Sequence, residues 1–433
     1  MYYVWHDGNV KYVDVNFKRE ENFMKKKILI GVICLSMAVL NLGCGNNKED
    51  TDTTVDSANV EDIMNDIASN DNESTDDQSS LVKLYKRNQV LSGYAIVTPF
   101  VQIILKADGT VFAKGENRFG QLGNGKRTDS QSWSKVENLP DDIISIYSLG
   151  SIGNEASNDN GYGHCYALSS SGKLYRWGGN ILTPEAVFPD LTIKEINALT
   201  SNRLFIRCES GENYIIVARP GLYADDSVFS YNSLGNDMKL YGSPQNGFFI
   251  YDNSNLSYVA LSSLNYTESI DEISPIEDKI KATIPIDISE KIKNIIPCVY
   301  NGFGGAILIT NTGSIIGIEY DDNTGEINIE DKGGSGIKKA SFDTTIFELF
   351  ENGKLTSCGE NEYGQLGDGT NISYDDGFLE IGDQETIFND YEYYGWPYFY
   401  TIALDRYYNI WGWGKGFNSL PSIIIEKTDF ISD

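Results

Sequence analysis

The segment Gly115-Glu-Asn-Arg-Phe-Gly-Gln-Leu-Gly-Asn-Gly125 recurs almost unchanged as Gly359-Glu-Asn-Glu-Tyr-Gly-Gln-Leu-Gly-Asp-Gly369. The copies start about 244 residues apart, five times the roughly 49-residue period of propeller-type repeats. Each follows a strand–turn–strand pattern, Leu105-Lys-Ala-Asp-Gly-Thr-Val-Phe112 and Leu349-Phe-Glu-Asn-Gly-Lys-Leu-Thr356. From Leu81 to Asp433 the chain holds about seven units of that length, beginning near Val101, Cys165, Leu204, Phe248, Ala306, Ile346 and Tyr400. The repeat thus predicts an all-β, seven-bladed β-propeller over 81–433. The stretch after Phe399 is short for a blade, so Leu81–Phe100 is expected to complete the last one and close the ring. Ile103-Ile-Leu, Tyr214-Ile-Ile-Val and Ser422-Ile-Ile-Ile read as strands between Gly, Asn and Asp turns. The one candidate for a long amphipathic helix lies around Pro275–Lys293.

Inside the repeated motif, clustered glycines fit a loop that needs positive φ or close backbone approach. Leu122 and Leu366 are the only aliphatic residues there and are expected to plug the space between blades. Gln121 and Gln365 both donate and accept, so they can satisfy loop amides that no strand reaches. A phosphate-cradling loop would need a Lys-Ser/Thr ending and a following helix, and the sequence has neither.

The motif resembles the regulator of chromosome condensation repeat, which runs from a strand and a Gly turn through Tyr-x-Trp-Gly to Asn-x-x-Gly-Gln-Leu-Gly-x-Gly. Partial copies extend the resemblance: Gly161-Tyr-Gly-His-Cys-Tyr-Ala-Leu running into Trp177-Gly-Gly-Asn180, and Thr401-Ile-Ala-Leu404 running into Trp411-Gly-Trp-Gly414. Leu204–Gly211, Gly247–Ser254 and Ala306–Gly313 keep only strand, turn, strand. The resemblance implies a seven-bladed propeller that binds partners through loops on one face, with inhibition of a secreted enzyme as a special case.

The first 80 residues carry an address rather than a fold. Met24-Lys-Lys-Lys27 and the apolar run from Ile28 to Gly43 read as the basic and apolar regions of a signal peptide, 24–43. The run is about 15 residues, short of the roughly 20 that span a bilayer. Cys44 closes it and resembles the acylated cysteine of bacterial lipoproteins, although Asn41 replaces the usual Leu three positions before it. Residues 1–23 fit neither a signal nor a domain and read as a non-native extension ahead of Met24. Residues 44–80 combine the lipidated cysteine with an acidic tether that lacks aromatics and cannot bury enough apolar surface to order itself. The expected place is the extracytoplasmic face of a cell membrane.

The net charge of −28 argues against nucleic acid, whose phosphates demand a basic surface. Cys165, Cys208, Cys298 and Cys358 fall on separate units without Cys-x-x-Cys spacing, so buried thiols are expected rather than a metal or redox site. His6 and His164 are the only histidines, which leaves His164 alone to serve a nucleophilic triad. Glu319–Glu326 and Asn154–Gly163 gather oxygen ligands, but the first lacks the alternating calcium-loop spacing and reads as a hairpin turn. No cofactor, metal or catalytic residue is assigned. Paired carboxylates about 5–10 Å apart would be needed for the alternative, a hydrolase of cell-surface polysaccharide. The densest aromatic stretch, Tyr391-Glu-Tyr-Tyr-Gly-Trp-Pro-Tyr-Phe-Tyr400, nominates Tyr393, Tyr394, Trp396 and Tyr398 as ligand-binding residues, because Tyr and Trp bring contact area with little entropy to lose. The sequence therefore predicts a monomeric, lipid-anchored binding module for an extracellular protein or glycan.

Overall fold

In the computed structural model, seven four-stranded antiparallel sheets follow one another along the chain. The structure describes residues 2–6 and 9–13 and, between 91 and 431, the strands with most of their connections. Residues 14–90, 150–162, 218–226, 231–238, 243–246, 261–279, 286–291, 322–326, 332–335, 396–397 and a few shorter stretches lie outside it. Within 1–23, Tyr2–His6 pairs with Asn9–Val13 as a separate hairpin. The signal peptide, Cys44 and the tether fall outside the described residues.

Blade 1 comprises Ala95–Val97, Val101–Leu105, Val111–Gly115 and Ser130–Lys135. Blade 2 comprises Ile143–Leu149, His164–Ser169, Leu174–Gly178 and Ile181–Val187. Blades 3, 4 and 5 open at Ile193, Lys239 and Ile292. Blade 6 comprises Ile337–Phe342, Thr345–Phe350, Leu355–Gly359 and Tyr374–Ile381. Blade 7 comprises Phe388–Tyr394, Tyr400–Asp405, Ile410–Gly414 and Ser422–Ile425. First strands of blades 1 and 2, 3 and 4, 4 and 5, and 5 and 6 pack on one another, which sets them around the central axis.

Burial falls from axis to rim. The second strands of blades 2 and 7 are buried at every position, whereas the fourth strand of blade 1 has no buried residue. A strand covered on both faces reads as a continuous apolar run. For that reason all seven unit starts read from the sequence fall in second strands, and the repeat is offset by one strand from the blade. The apolar core is divided into interblade layers, such as Phe347, Leu349, Tyr391 and Trp413 between blades 6 and 7.

Two expectations are corrected here. Ala95–Val97 opens blade 1 rather than completing the last blade, because Phe388–Tyr394 gives blade 7 a first strand of its own. The ring closes instead by side-chain and terminal contacts. The Leu91 amide donates to Asp390 Oδ2 (2.8 Å), and the Ala107 amide donates to the Phe430 carbonyl (2.8 Å). Trp133 Nε1 donates to Asp429 Oδ1 (2.9 Å), within the 3-10 turn Lys427–Phe430 whose Phe430 is fully buried. Around Pro275–Lys293 the described part is not helical: Ile280–Pro285 is the fourth strand of blade 4.

Candidate binding face

Antiparallel order places the connections between strands 1 and 2 and between strands 3 and 4 on one face of the ring. Both complete motifs are strand 3–4 connections, in blades 1 and 6, so they share this motif face. Asn117 is the hub of its loop: Oδ1 accepts from the Leu122 amide (2.9 Å), and Nδ2 faces Asn124 Oδ1 (3.0 Å) and the Lys126 and Thr128 carbonyls (3.0 and 3.2 Å). Asn361 repeats this with the Leu366 amide (2.8 Å), Asp368 Oδ1 (3.0 Å) and the Thr370 and Ile372 carbonyls (3.1 and 3.2 Å). Gln121 and Gln365 accept from the Phe119 and Tyr363 amides (2.7 and 2.9 Å). Their backbone carbonyls accept indole N–H bonds from Trp177 and Trp413 of the next blade, both at 2.9 Å. Leu122 and Leu366 are fully buried, as expected of interblade plugs. Gly123 and Gly367 lie at φ 59° and 80°, where a Cβ would press on those same indoles. The motif is thus a latch from each blade onto its neighbour. Its buried residues are structural and identical in the two copies, and the positions that differ are exposed or half-buried.

Between the two latches, on the same face, blade 7 presents an aromatic and apolar group. Phe399 stacks on Tyr363 at 5.0 Å, with Lys415 Nζ 4.9 Å above the Tyr363 ring. Phe399 holds φ 52°, a left-handed backbone that a bulky residue rarely adopts. The Lys415 amide fixes it by donating to the Phe399 carbonyl at 2.9 Å. Such strain persists where surrounding contacts enforce it, often at ligand-facing segments. Exposed Phe100 and Leu420 flank this stack, and Ile372 adds the most exposed large apolar side chain among the described residues, 73% accessible.

The sequence-nominated aromatics are separated by the alternation of the first strand of blade 7. Tyr393 points into the layer between blades 6 and 7, buried against Phe347 at 5.1 Å. Tyr394 turns the other way, stacks on Tyr400 at 4.7 Å and donates its hydroxyl to Glu392 Oε2 (2.5 Å). Burial first, then Glu392, raises the Tyr394 hydroxyl well above its ordinary range. Tyr398 is half-buried with its ring edge-on to Tyr400. Trp396 lies outside the described residues. Sequence reasoning missed Tyr363, Phe399 and Lys415; the signal available was the Phe/Tyr at the fifth position of each motif, read only as a repeat position.

Other candidate groups are built into the fold. His164 is buried, and a Cβ at Gly179 would collide with its ring. Cys165, Cys208 and Cys358 are buried thiols on blades 2, 3 and 6, and burial pushes the Cys165 thiol far up. The Cys298 side chain is outside the described residues. Ile315–Asp321 and Ile327–Asp331 pair antiparallel, so Glu319–Asp321 belongs to a strand, and the rest of the Glu319–Glu326 segment lies outside the described residues. Two carboxylates lie on blade 7's first strand: Asp390 bonds Lys339 Nζ (2.7 Å) and Glu392 takes the Tyr394 hydroxyl. Burial raises the Glu392 carboxyl. Among the described residues no group of His, Cys, Asp or Glu is placed to hold a metal.

Blade number, strand order and the latching motif define a seven-bladed β-propeller of the regulator-of-chromosome-condensation type. No protein-family model and no curated protein matches the chain. Among solved structures it is similar to yeast RCC1 (Prp20), solved bound to Kap60, at 12% identity over 89% of this chain and 91% of that one, with a TM-score of 0.50. Prp20p from Saccharomyces cerevisiae, studied for binding to Gsp1p and histones, matches at 13% identity over 78% and 88%, with a TM-score of 0.48. Human WBSCR16 matches at 11% identity over 73% and 93%, with the same TM-score. At these identities the likeness is one of fold.

Proposed function

We propose that this chain is a lipid-anchored binding module that holds its propeller outside the cell membrane and recognises an extracellular protein or glycan through the motif face of blades 6, 7 and 1. The observation that carries the reading is the Phe399–Tyr363–Lys415 group, held in a strained backbone and rimmed by exposed Phe100, Leu420 and Ile372. Aromatic side chains are enriched at the cores of recognition interfaces. Of the nominated aromatics, Tyr394 and Tyr398 support this face from beneath, Tyr393 sets the blade 6–7 spacing, and Trp396 belongs to the same connection as Phe399.

Two experiments test the halves of this reading. Labelled palmitate is expected in the wild type and absent from Cys44→Ala, which also loses membrane association; label retained by the variant removes the anchor. For recognition, full-length protein is displayed to culture supernatant and cell-wall extract. A Phe100→Ser/Leu420→Ser variant is expected to lose its bound partner, while Tyr407→Ser, an exposed ring on the opposite face, keeps it. Equal retention by both variants places recognition elsewhere.

A further inference from the structure

The two latching loops share every buried residue and differ in charge where they meet solvent. Exposed Arg118, Lys126 and Arg127 of the blade 1 loop correspond to Glu362, Thr370 and Asn371 in blade 6, and Asn124 corresponds to Asp368. Equivalent backbones are supported equivalently: Arg127 Nη1 donates to the Arg118 carbonyl (2.9 Å), and Asn371 Nδ2 donates to the Glu362 carbonyl (3.1 Å). The motif face therefore reads, in blade order 6–7–1, as acidic, largely apolar with Lys415 over the aromatic stack, and basic.

A two-fold axis running radially along blade 7 exchanges the ends of such an arrangement. It lays the apolar stretch of one molecule on that of another and sets each basic loop against an acidic one. Isologous interfaces require this kind of self-complementarity, and complementary potentials favour encounter in the matching register. Resting on the reading of this face as a protein-binding surface, we infer that one partner of the motif face is a second copy of this chain, docked face to face with Arg118 of each molecule opposite Glu362 of the other.

The test uses charge exchange in trans. Arg118→Glu and Glu362→Arg each install the residue that the sister loop already carries on the same backbone, so folding is expected to survive and is checked by the thermal transition. Full-length protein in neutrally buoyant detergent is followed by sedimentation equilibrium. The wild type is expected to dimerise, more weakly as salt screens the charges. Each variant alone, with like charges opposed at both contacts, is expected to associate at least tenfold more weakly. An equimolar mixture of the two variants restores opposite charges at both contacts and is expected to recover the dimer.

A wild type that stays monomeric to the limit of solubility overturns the inference, as does a dimer insensitive to either variant or a mixture that fails to recover. A monomeric wild type whose Phe100→Ser/Leu420→Ser variant still loses a captured partner would end self-association alone and leave the binding face standing. If that variant also keeps its partner, the reading of the face fails too.

Discussion

Replacing Asn361 probes the latch at its hub, and Asn117 supplies an internal control. The Asn361 side chain is fully buried, and its amide carries only two hydrogens. Its contacts with Asp368, Thr370 and Ile372 therefore amount to about two hydrogen bonds, with a third from the Leu366 amide to Oδ1. Asn361→Ala loses three bonds at about 1 kcal/mol each and leaves the Leu366 N–H unpaired, for a further 1–3 kcal/mol or so, a total of about 4–6 kcal/mol. Asn361→Asp keeps the Leu366 bond but turns a carboxylate oxygen toward the Asp368 carboxylate and two carbonyls. Its cost is expected to equal or exceed that of Ala at pH 7 and to shrink as pH falls, because the like charge raises the folded-state pKa of the pair above its unfolded value. Asn117→Asp faces Asn124 instead, whose amide can turn to donate, so its cost is expected to be the smaller by 1 kcal/mol or more. Urea denaturation at pH 7 and pH 5 reads all three. Equal costs for the two Asp variants, or an Asn361→Ala loss below about 1 kcal/mol, would show that the hub does not organise the loop.

Glu348, buried between blades with Oε1 lacking a partner, has its carboxyl raised by burial from 4.5 to about 8. Its contribution to stability is full below pH 4.5 and is lost as pH rises to about 8; Glu348→Gln is expected to flatten that decline by a few kcal/mol, at 1.36 kcal/mol per unit of pKa, and an unchanged stability–pH profile would show the group already charged. Gly364→Val places a β-branched side chain at φ 78°, where its Cβ meets Ser419 Cβ at 2.5 Å. A loss of roughly 2–4 kcal/mol is expected, and an unaltered thermal midpoint would remove the conformational role of that glycine.

Propeller, blade count and latch were legible because they depend on residues buried from both sides. Leu122, Gln121, their blade 6 counterparts and the seven apolar second strands follow from burial and hydrogen-bond capacity alone. Asn117 and Asn361 were visible as repeated letters, but their bonding depends on loop carbonyls that only folding brings together. Ring closure was misread because the first strand of blade 7, Phe388-Asn-Asp-Tyr-Glu-Tyr-Tyr394, alternates between two environments. Its odd-numbered tyrosines fill the blade 6–7 layer while Asp390, Glu392 and Tyr394 turn the other way. An aromatic strand and an aromatic loop have the same composition, so Tyr393 and Tyr398 looked alike in the sequence. Phe399 escaped notice because its value to the site lies in a left-handed backbone, which sequence registers only when the residue is glycine.

Side-chain footprinting of the full-length protein on intact cells tests the binding face most directly, since hydroxyl radicals modify exposed aromatic and aliphatic groups in place. Compared with purified, dilute protein, Phe100, Tyr363, Phe399, Ile372 and Leu420 are expected to be protected together, while Tyr407 on the opposite face reacts equally in both states. Unchanged labelling of those five residues, or protection centred on Tyr407, would contradict recognition through the motif face.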